Sequence, residues 1–301
     1  MPSGTSIVGL CIAKNEADII EAMVRHNLGF LDHLHVVDND SADMTPPILQ
    51  ALQRELGGRL SWSVDPRKGH GQQAMINELL PILATQHDAA QVVLLDADEF
   101  VRADASVFRD VLLVSDQPVQ LPWFTYVPTR HDDPAERNPL ARITHRRRRE
   151  VPQYSKITVP RRLVGEAKVG AGNHSLIAEK RIKSEIVVGL SLAHIPVRSR
   201  EQLMSKVLIG SWNMRLRETR HQNEAFHWQL LADRILAGDP ITDADVQDVA
   251  LTYAADVAVR LFLEPLITPG AMILRYTPDN AALLERNLIA FAESCVGLLT
   301  K

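Results

Sequence analysis

The amino-acid sequence predicts an α/β protein: a mostly parallel sheet flanked by helices, with a helical C-terminal extension. Two observations carry this. Between residues 1 and 100, short apolar runs alternate with segments whose apolar residues recur at helical spacing. From residue 200 onward the pattern is helical, interrupted at Asp239-Pro240 and Thr268-Pro269-Gly270. A β-α-β-α-β-α-β order implies parallel strands with right-handed crossovers, so the loops leaving the strands gather on one sheet edge.

Each element has its own signal. Residues 7–13 are an apolar run of the kind that forms a buried parallel strand, broken by Lys14-Asn15-Glu16. Residues 17–28 read as a helix, with Asp18 and Glu21 in an early turn where the helix dipole favours acids. Residues 34–37 form the second strand, ending at Asp38-Asn39-Asp40-Ser41. A helix follows over 45–56, its first turn tolerating Pro46 and Pro47. The third strand, 60–64, leads into Arg67-Lys68-Gly69-His70-Gly71 and a helix over 72–85; the fourth strand is 92–95. Beyond residue 100 the pattern loosens. Residues 119–127 read as a strand carrying Trp123, Phe124 and Tyr126, and 128–142 as a polar, mobile loop. A basic run at 145–149 is followed by Lys156, Arg161 and Arg162. Residues 164–195 read as short strands and turns, with a strand over 186–192. Helices are expected over 201–217, 225–237, 243–263 and 280–299.

The totals exclude several classes. The 301 residues allow one large α/β domain with an extension, or two domains. With 46% hydrophobic and 23% charged residues the chain is globular, and a net charge of −4 makes it no polyanion binder as a whole. Cys11 and Cys295 are the only cysteines, too few for a disulfide scaffold or a zinc site, so a cytoplasmic location is expected. No run approaches the about 20 apolar residues of a membrane span.

The chemistry concentrates at the end of the fourth strand. Val92-Val93-Leu94-Leu95 runs into Asp96-Ala97-Asp98, two carboxylates spaced i, i+2 at the edge where open α/β sheets bind ligands. Acids also end strands simply where the chain meets solvent. As a site, the pair offers hard oxygen ligands for Mg²⁺ or Mn²⁺ and leaves positions open for phosphate oxygens. A Walker B strand shares the local pattern, but no phosphate-binding G-x-x-x-x-G-K-[ST] loop accompanies it.

Four loop sequences fall on that edge: Lys14-Asn15-Glu16, Asp38-Asn39-Asp40-Ser41-Ala42-Asp43, Arg67-Lys68-Gly69 and Asp96-Ala97-Asp98. In this order they resemble the nucleotide-sugar domain of the family 2 glycosyltransferases, which has the GT-A fold. Ala193-His194-Ile195-Pro196-Val197-Arg198-Ser199, with Lys206 beyond it, resembles the closing motif of a related bacterial branch. The resemblance implies a GT-A domain over 1–199, with a nucleotide-binding half (1–100) and an acceptor half (101–199), and an extension over 200–301. It implies transfer of a sugar from a nucleoside-diphosphate sugar, UDP-linked by expectation, to a hydroxyl of a glycan, lipid-linked or other acceptor, with inversion. A sugar-phosphate nucleotidyltransferase, a phosphatase using an aspartate nucleophile, and a non-catalytic nucleotide-binding domain are the alternatives.

The resemblance also distributes roles. Ala13, Lys14, Asn15, Glu16, Asp38, Asn39 and Asp40 would hold the base and ribose. Arg67 and Lys68 would meet the diphosphate or base edge, Arg as a planar fork and Lys as a point charge. Asp98 would bind the metal directly, with Asp96 and Ala97 beside the ribose or a metal-bound water. His194 would complete the Mn²⁺ or Mg²⁺ shell, with His174 as competitor, and Arg198 and Lys206 would grip phosphates. The base that deprotonates the acceptor is sought among Asp132, Asp133 and Glu136, near Trp123 and Tyr126, with Glu166 as another option. The run 146–149 fits an anionic acceptor, a peripheral contact with the inner membrane face, or a solvated charge cluster. It lacks the aromatic interleaving of a nucleic-acid site.

Overall fold

The computed structural model describes residues 4–67, 71–215, 226–255, 259–279 and 283–299. The first half follows the expected alternation: β1 (Ser6–Ala13), α1 (Ile20–Asn27), β2 (His33–Asp38), α2 (Thr45–Leu56), β3 (Leu60–Val64), α3 (Gln72–Gln86) and β4 (Ala89–Asp96). These four strands are parallel in the order β3-β2-β1-β4. Side chains of β1 alternate between two cores. Ile7 and Cys11 face the α1 and α2 side, with Met23, Leu49 and Leu52. Val8 and Leu10 face α3, with Met75, Ile76, Leu80 and Leu83. Gly9 lies on the Ile7 and Cys11 side, where a Cβ would stand 2.6 Å from Leu31 Cδ1.

After β4 the sheet becomes mixed. The chain runs through β5 (Glu99–Arg102), α4 (Ala105–Val114), β6 (Val119–Thr125), the short α5 (Pro139–Arg142), β7 (His145–Arg147), β8 (Ser155–Pro160), β9 (Lys168–Val169), β10 (Leu176–Ile177), β11 (Glu185–Ile186) and β12 (Ser191–His194). The sheet continues β4-β8-β6-β12-β5, with β8 antiparallel to both neighbours and β12 parallel to β6 and antiparallel to β5. The molecule is thus a mixed α/β structure with a mostly parallel central sheet flanked by helices.

The second half departs from the sequence expectation in definite places. Helix α4, capped by Asp104 accepting from the N–H groups of Ser106 and Val107, fills a stretch where no helix is expected. The strand expected over 186–192 is instead two short ones, β11 and β12. The C-terminal part carries α6 (Arg200–Arg215), α7 (Phe226–Leu236), α8 (Asp243–Thr252) and α9 (Leu283–Leu299), but the helix expected over 243–263 stops at Thr252. Residues Leu261–Leu263 form β13, antiparallel to β7. The reason is tertiary. Arg146 of β7 lies between the rings of Phe124 and Phe262, 4.3 and 4.2 Å from their centroids, and pairs with Glu264. Residues 264–279 then run back over the first half without regular structure, placing Leu266, Met272, Leu274 and Tyr276 against the core.

Candidate active site

Strand register brings the expected loops together. Ala13 pairs with Asp38 across β1 and β2, and Ile12 with Asp96 across β1 and β4. The turns beginning at Lys14, Asn39 and Asp96 therefore leave the same edge. On the other side, β12 places His194 opposite Glu99 of β5 and Thr125 of β6. Between these edges opens a cavity of about 320 Å³ whose walls include Lys14, Asn39, Asp96, Asp98, His194 and Lys206.

Asp98 is buried, and its Oδ1 lies 3.7 Å from His194 Nε2. Lys206 Nζ stands 4.0 Å from Asp98 Oδ2. Burial would raise the Asp98 pKa, but His194, Lys206, Arg198 and Lys156 outweigh it and hold the carboxyl below its ordinary value. The His194 ring stacks on Trp123, with centroids 4.4 Å apart and planes 19° apart, and meets the edge of Tyr253. Its burial lowers the imidazole pKa to about 4 against the pull of Asp98, so the ring is neutral near neutral pH.

Asp96 is already engaged. Its Oδ2 accepts from Lys156 Nζ and its Oδ1 from Gln72 Nε2, each at 2.6 Å, while its backbone N–H donates to Glu99. Lys156 is 1% exposed, also donates to Gly172 O, and stands 3.7 Å from Glu99 Oε1. Burial raises the Glu99 carboxyl to about 8 despite Lys156. Lys156 itself is raised: burial lowers its pKa, but Glu99 and Asp96 more than compensate. Gly172, at φ +66°, leaves room for His174, whose ring a Cβ would strike at 2.6 Å.

The first turn is tied to its neighbours. Lys14 Nζ donates to the carbonyls of Asn39 and Asp40, and Asn15 is bound through Ser41 and Ala42. Glu16 accepts from Arg198, and burial raises its carboxyl to about 7 although Arg198 and Lys206 oppose this. Asp38 turns back to the Ser41 N–H and is buried, which raises its pKa, while Asn39 reaches the cavity wall.

Other expected site residues are placed elsewhere. Arg198 is buried in a bidentate pair with Asp18 at 2.6 and 2.9 Å and does not line the cavity. It locks the turn after β12 to the turn before α1. Half-exposed Arg67 pairs with Asp65 and Glu78, and Lys68 lies outside the described residues. Asp132, Asp133 and Glu136 each cap local backbone, accepting from Thr129, Ala135 and Asn138, and none lines the cavity. Glu166 is likewise absent from its wall, whereas His174 stands there, donating through Nδ1 to Ser155 O. Tyr126 is a core residue, while Trp123 faces the cavity. In the basic run, Arg147 is buried against Glu150 and the carbonyls of Ala250 and Tyr253, and Arg148 and Arg149 are exposed.

Sequence reasoning missed Gln72, Gly172, Tyr253 and the role of Lys156. Lys156 carried one usable signal: it is a lone cation in the otherwise strand-like Ser155-Lys156-Ile157-Thr158-Val159.

The donor set suits a divalent ion only in a limited way. Among the described residues, no three His, Cys, Asp or Glu side chains gather as a metal cluster. Asp98 and a neutral His194 Nε2 are one oxygen and one nitrogen donor close enough to share an ion whose other positions go to phosphate and water. No helix among the described residues is long and apolar enough to cross a membrane.

No family model matches the chain, and no curated protein matches it. Among solved structures, a crystal structure of S. aureus TarS 1-349 is similar with a TM-score of 0.40 and 11% identity, covering 78% of this chain and 70% of that one. A crystal structure of S. aureus TarS gives 0.38 and 12%, covering 78% of this chain and 43% of that one.

Proposed function

We propose that the protein is a metal-dependent glycosyltransferase that takes a sugar from a nucleoside diphosphate, UDP by expectation, to a hydroxyl acceptor. The observation that carries this reading is the Asp98–His194 pair, 3.7 Å apart on the wall of a cavity at the carboxyl edge of the sheet. Asp98 and His194 would hold Mn²⁺ or Mg²⁺, which when bound supplies positive charge to the departing diphosphate. Lys206 adds a cation beside Asp98, placed to meet phosphate oxygens. Lys156 neutralises Asp96, and Glu99, raised to about 8 by burial, is protonated near neutral pH, so Asp98 is the anion left facing the ion. Stacking on Trp123 fixes the His194 ring plane.

Isothermal titration with UDP, GDP and CDP, with Mn²⁺ and with a chelator, tests the reading. Binding of UDP that needs Mn²⁺ is expected. Binding of no nucleotide under either condition would refute it.

A further inference from the structure

The end of α8 reaches the main cavity. Tyr253 follows the last residue of this helix and forms part of the cavity wall. Arg147 of β7 holds it there, its Nη2 donating to the carbonyls of Ala250 and Tyr253 at 2.7 and 2.8 Å. A guanidinium at this end satisfies carbonyls that the helix cannot pair itself, and it suits the negative end of the helix dipole. Arg147 is paired in turn with Glu150 at 2.9 Å, and Glu150 accepts from the N–H and the hydroxyl of Thr125. Thr125 stands opposite His194 in the register of β6 and β12. A buried chain of polar contacts thus ties the end of α8 to the strands that carry His194. The backbone then turns at Ala254, φ +50°, a left-handed conformation that a residue with a side chain keeps only where its surroundings hold it.

In the cavity the Tyr253 ring meets His194. The two centroids are 5.4 Å apart with planes at 67°, while Trp123 stacks on the His194 face. A metal-binding imidazole is ordinarily oriented by a hydrogen bond from its second nitrogen. His194 Nδ1 is buried and has no such partner among the described residues. Its Nε2 stands 3.7 Å from Asp98 Oδ1, beyond a hydrogen bond. The orientation of the ring therefore rests on packing: Trp123 sets its plane, and Tyr253 limits its movement across the Trp123 face. Lys206 Nζ is 5.9 Å from the Tyr253 centroid, the outer limit of a cation–π contact, so His194 is the group this ring holds. We infer that Tyr253 is a positioning residue for His194, and that α8 thereby completes the metal site. The inference rests on the metal-dependent transferase reading above.

A double-variant cycle on the full chain tests it. Tyr253→Leu removes the ring at a half-buried position, and Tyr253→Phe keeps it. Calorimetric titration with UDP in Mn²⁺ would compare wild type, these two variants, His194→Gln, and His194→Gln combined with Tyr253→Leu, with a thermal melt on each. Tyr253→Leu should weaken UDP by about tenfold, and Tyr253→Phe should stay within about twofold of wild type. In the His194→Gln background Tyr253→Leu should cost no more than about twofold further, because a residue that acts through His194 has nothing left to position. A merely structural residue would show its full loss in both backgrounds. The inference is overturned if Tyr253→Leu binds as wild type does, if Tyr253→Phe loses as much as Tyr253→Leu, or if the two losses add. Wild type that takes up Mn²⁺ but binds no nucleotide would refute the transferase reading alone, and the same cycle read as Mn²⁺ uptake by electron paramagnetic resonance would then decide on Tyr253. Wild type that takes up neither overturns both.

Discussion

At the residue scale, Asp96 and Asp98 are two residues apart and chemically unlike. Asp96 has both oxygens bound by Lys156 and Gln72, whereas Asp98 faces the cavity beside a neutral His194. Asp98→Asn should keep a melting temperature close to wild type and lose about tenfold or more in Mn²⁺-dependent UDP affinity. Titration and a thermal melt on one sample check both, and unchanged affinity would remove Asp98 from the metal site. Lys156→Met makes the opposite prediction. It leaves the Asp96 carboxylate without the ammonium it meets at 2.6 Å, so unfolding stability should fall by about 1–3 kcal/mol. Adding Asp96→Asn should recover part of that loss, as denaturant titration of the single and double variants would show. Neither contact is legible in the linear sequence. The Asp-x-Asp pattern is visible because a strand end is a local feature, but Lys156 lies sixty residues on and meets Asp96 only because β8 inserts between β4 and β6.

At the element scale, residues 264–279 are held by one buried carboxylate. Glu21 Oε1 accepts from Arg275 N–H and Oε2 from the N–H groups of Tyr276 and Thr277, each at 2.8 Å. Burial alone would raise its pKa, but these donors outweigh it and hold it below the usual value. A carboxyl depressed in the folded state contributes stability above its unfolded pKa, and the contribution is lost as pH falls through the folded one. Glu21→Gln should cost about 1–3 kcal/mol and speed amide exchange at Arg275, Tyr276 and Thr277 before other segments. Exchange measured by mass spectrometry would decide it, and equal rates in both proteins would sink it. The sequence placed Glu21 early in a helix for a dipole reason. Besides Arg25 one turn on, its partners are more than 250 residues away, beyond the reach of a periodicity argument.

At the scale of the whole molecule, the histidines shape acid stability. His26 is fully buried against Phe30 and Phe100, donates through Nε2 to Val101 O, and is held to about 4 by burial. His35 is also lowered to about 4, first by burial and then by His33 and His87. Both pKa values are lower folded than unfolded, so the unfolded chain takes the protons first. Their stability is therefore fully present above about pH 6.5 and declines as pH falls toward about 4. Denaturant midpoints should drop between about pH 7 and about pH 5, and less steeply in His26→Gln than in wild type. Parallel pH profiles for the two proteins would count against the His26 contribution.

The sequence alone determined the α/β class, the first four strands, and the edge where Lys14, Asn39, Asp96 and Asp98 meet. Apolar runs, helical spacing and turn residues are local signals, and parallel crossovers have one handedness. Tertiary structure decided the rest. It buried Arg198 against Asp18, turned Asp132, Asp133 and Glu136 to local caps, drew Leu261–Leu263 out of a helix and into β13, and brought Lys156 and Tyr253 to the cavity. Those outcomes depend on which distant partner satisfies a buried charge or amide. Burial makes such groups costly to leave alone, and only the folded chain supplies the partner.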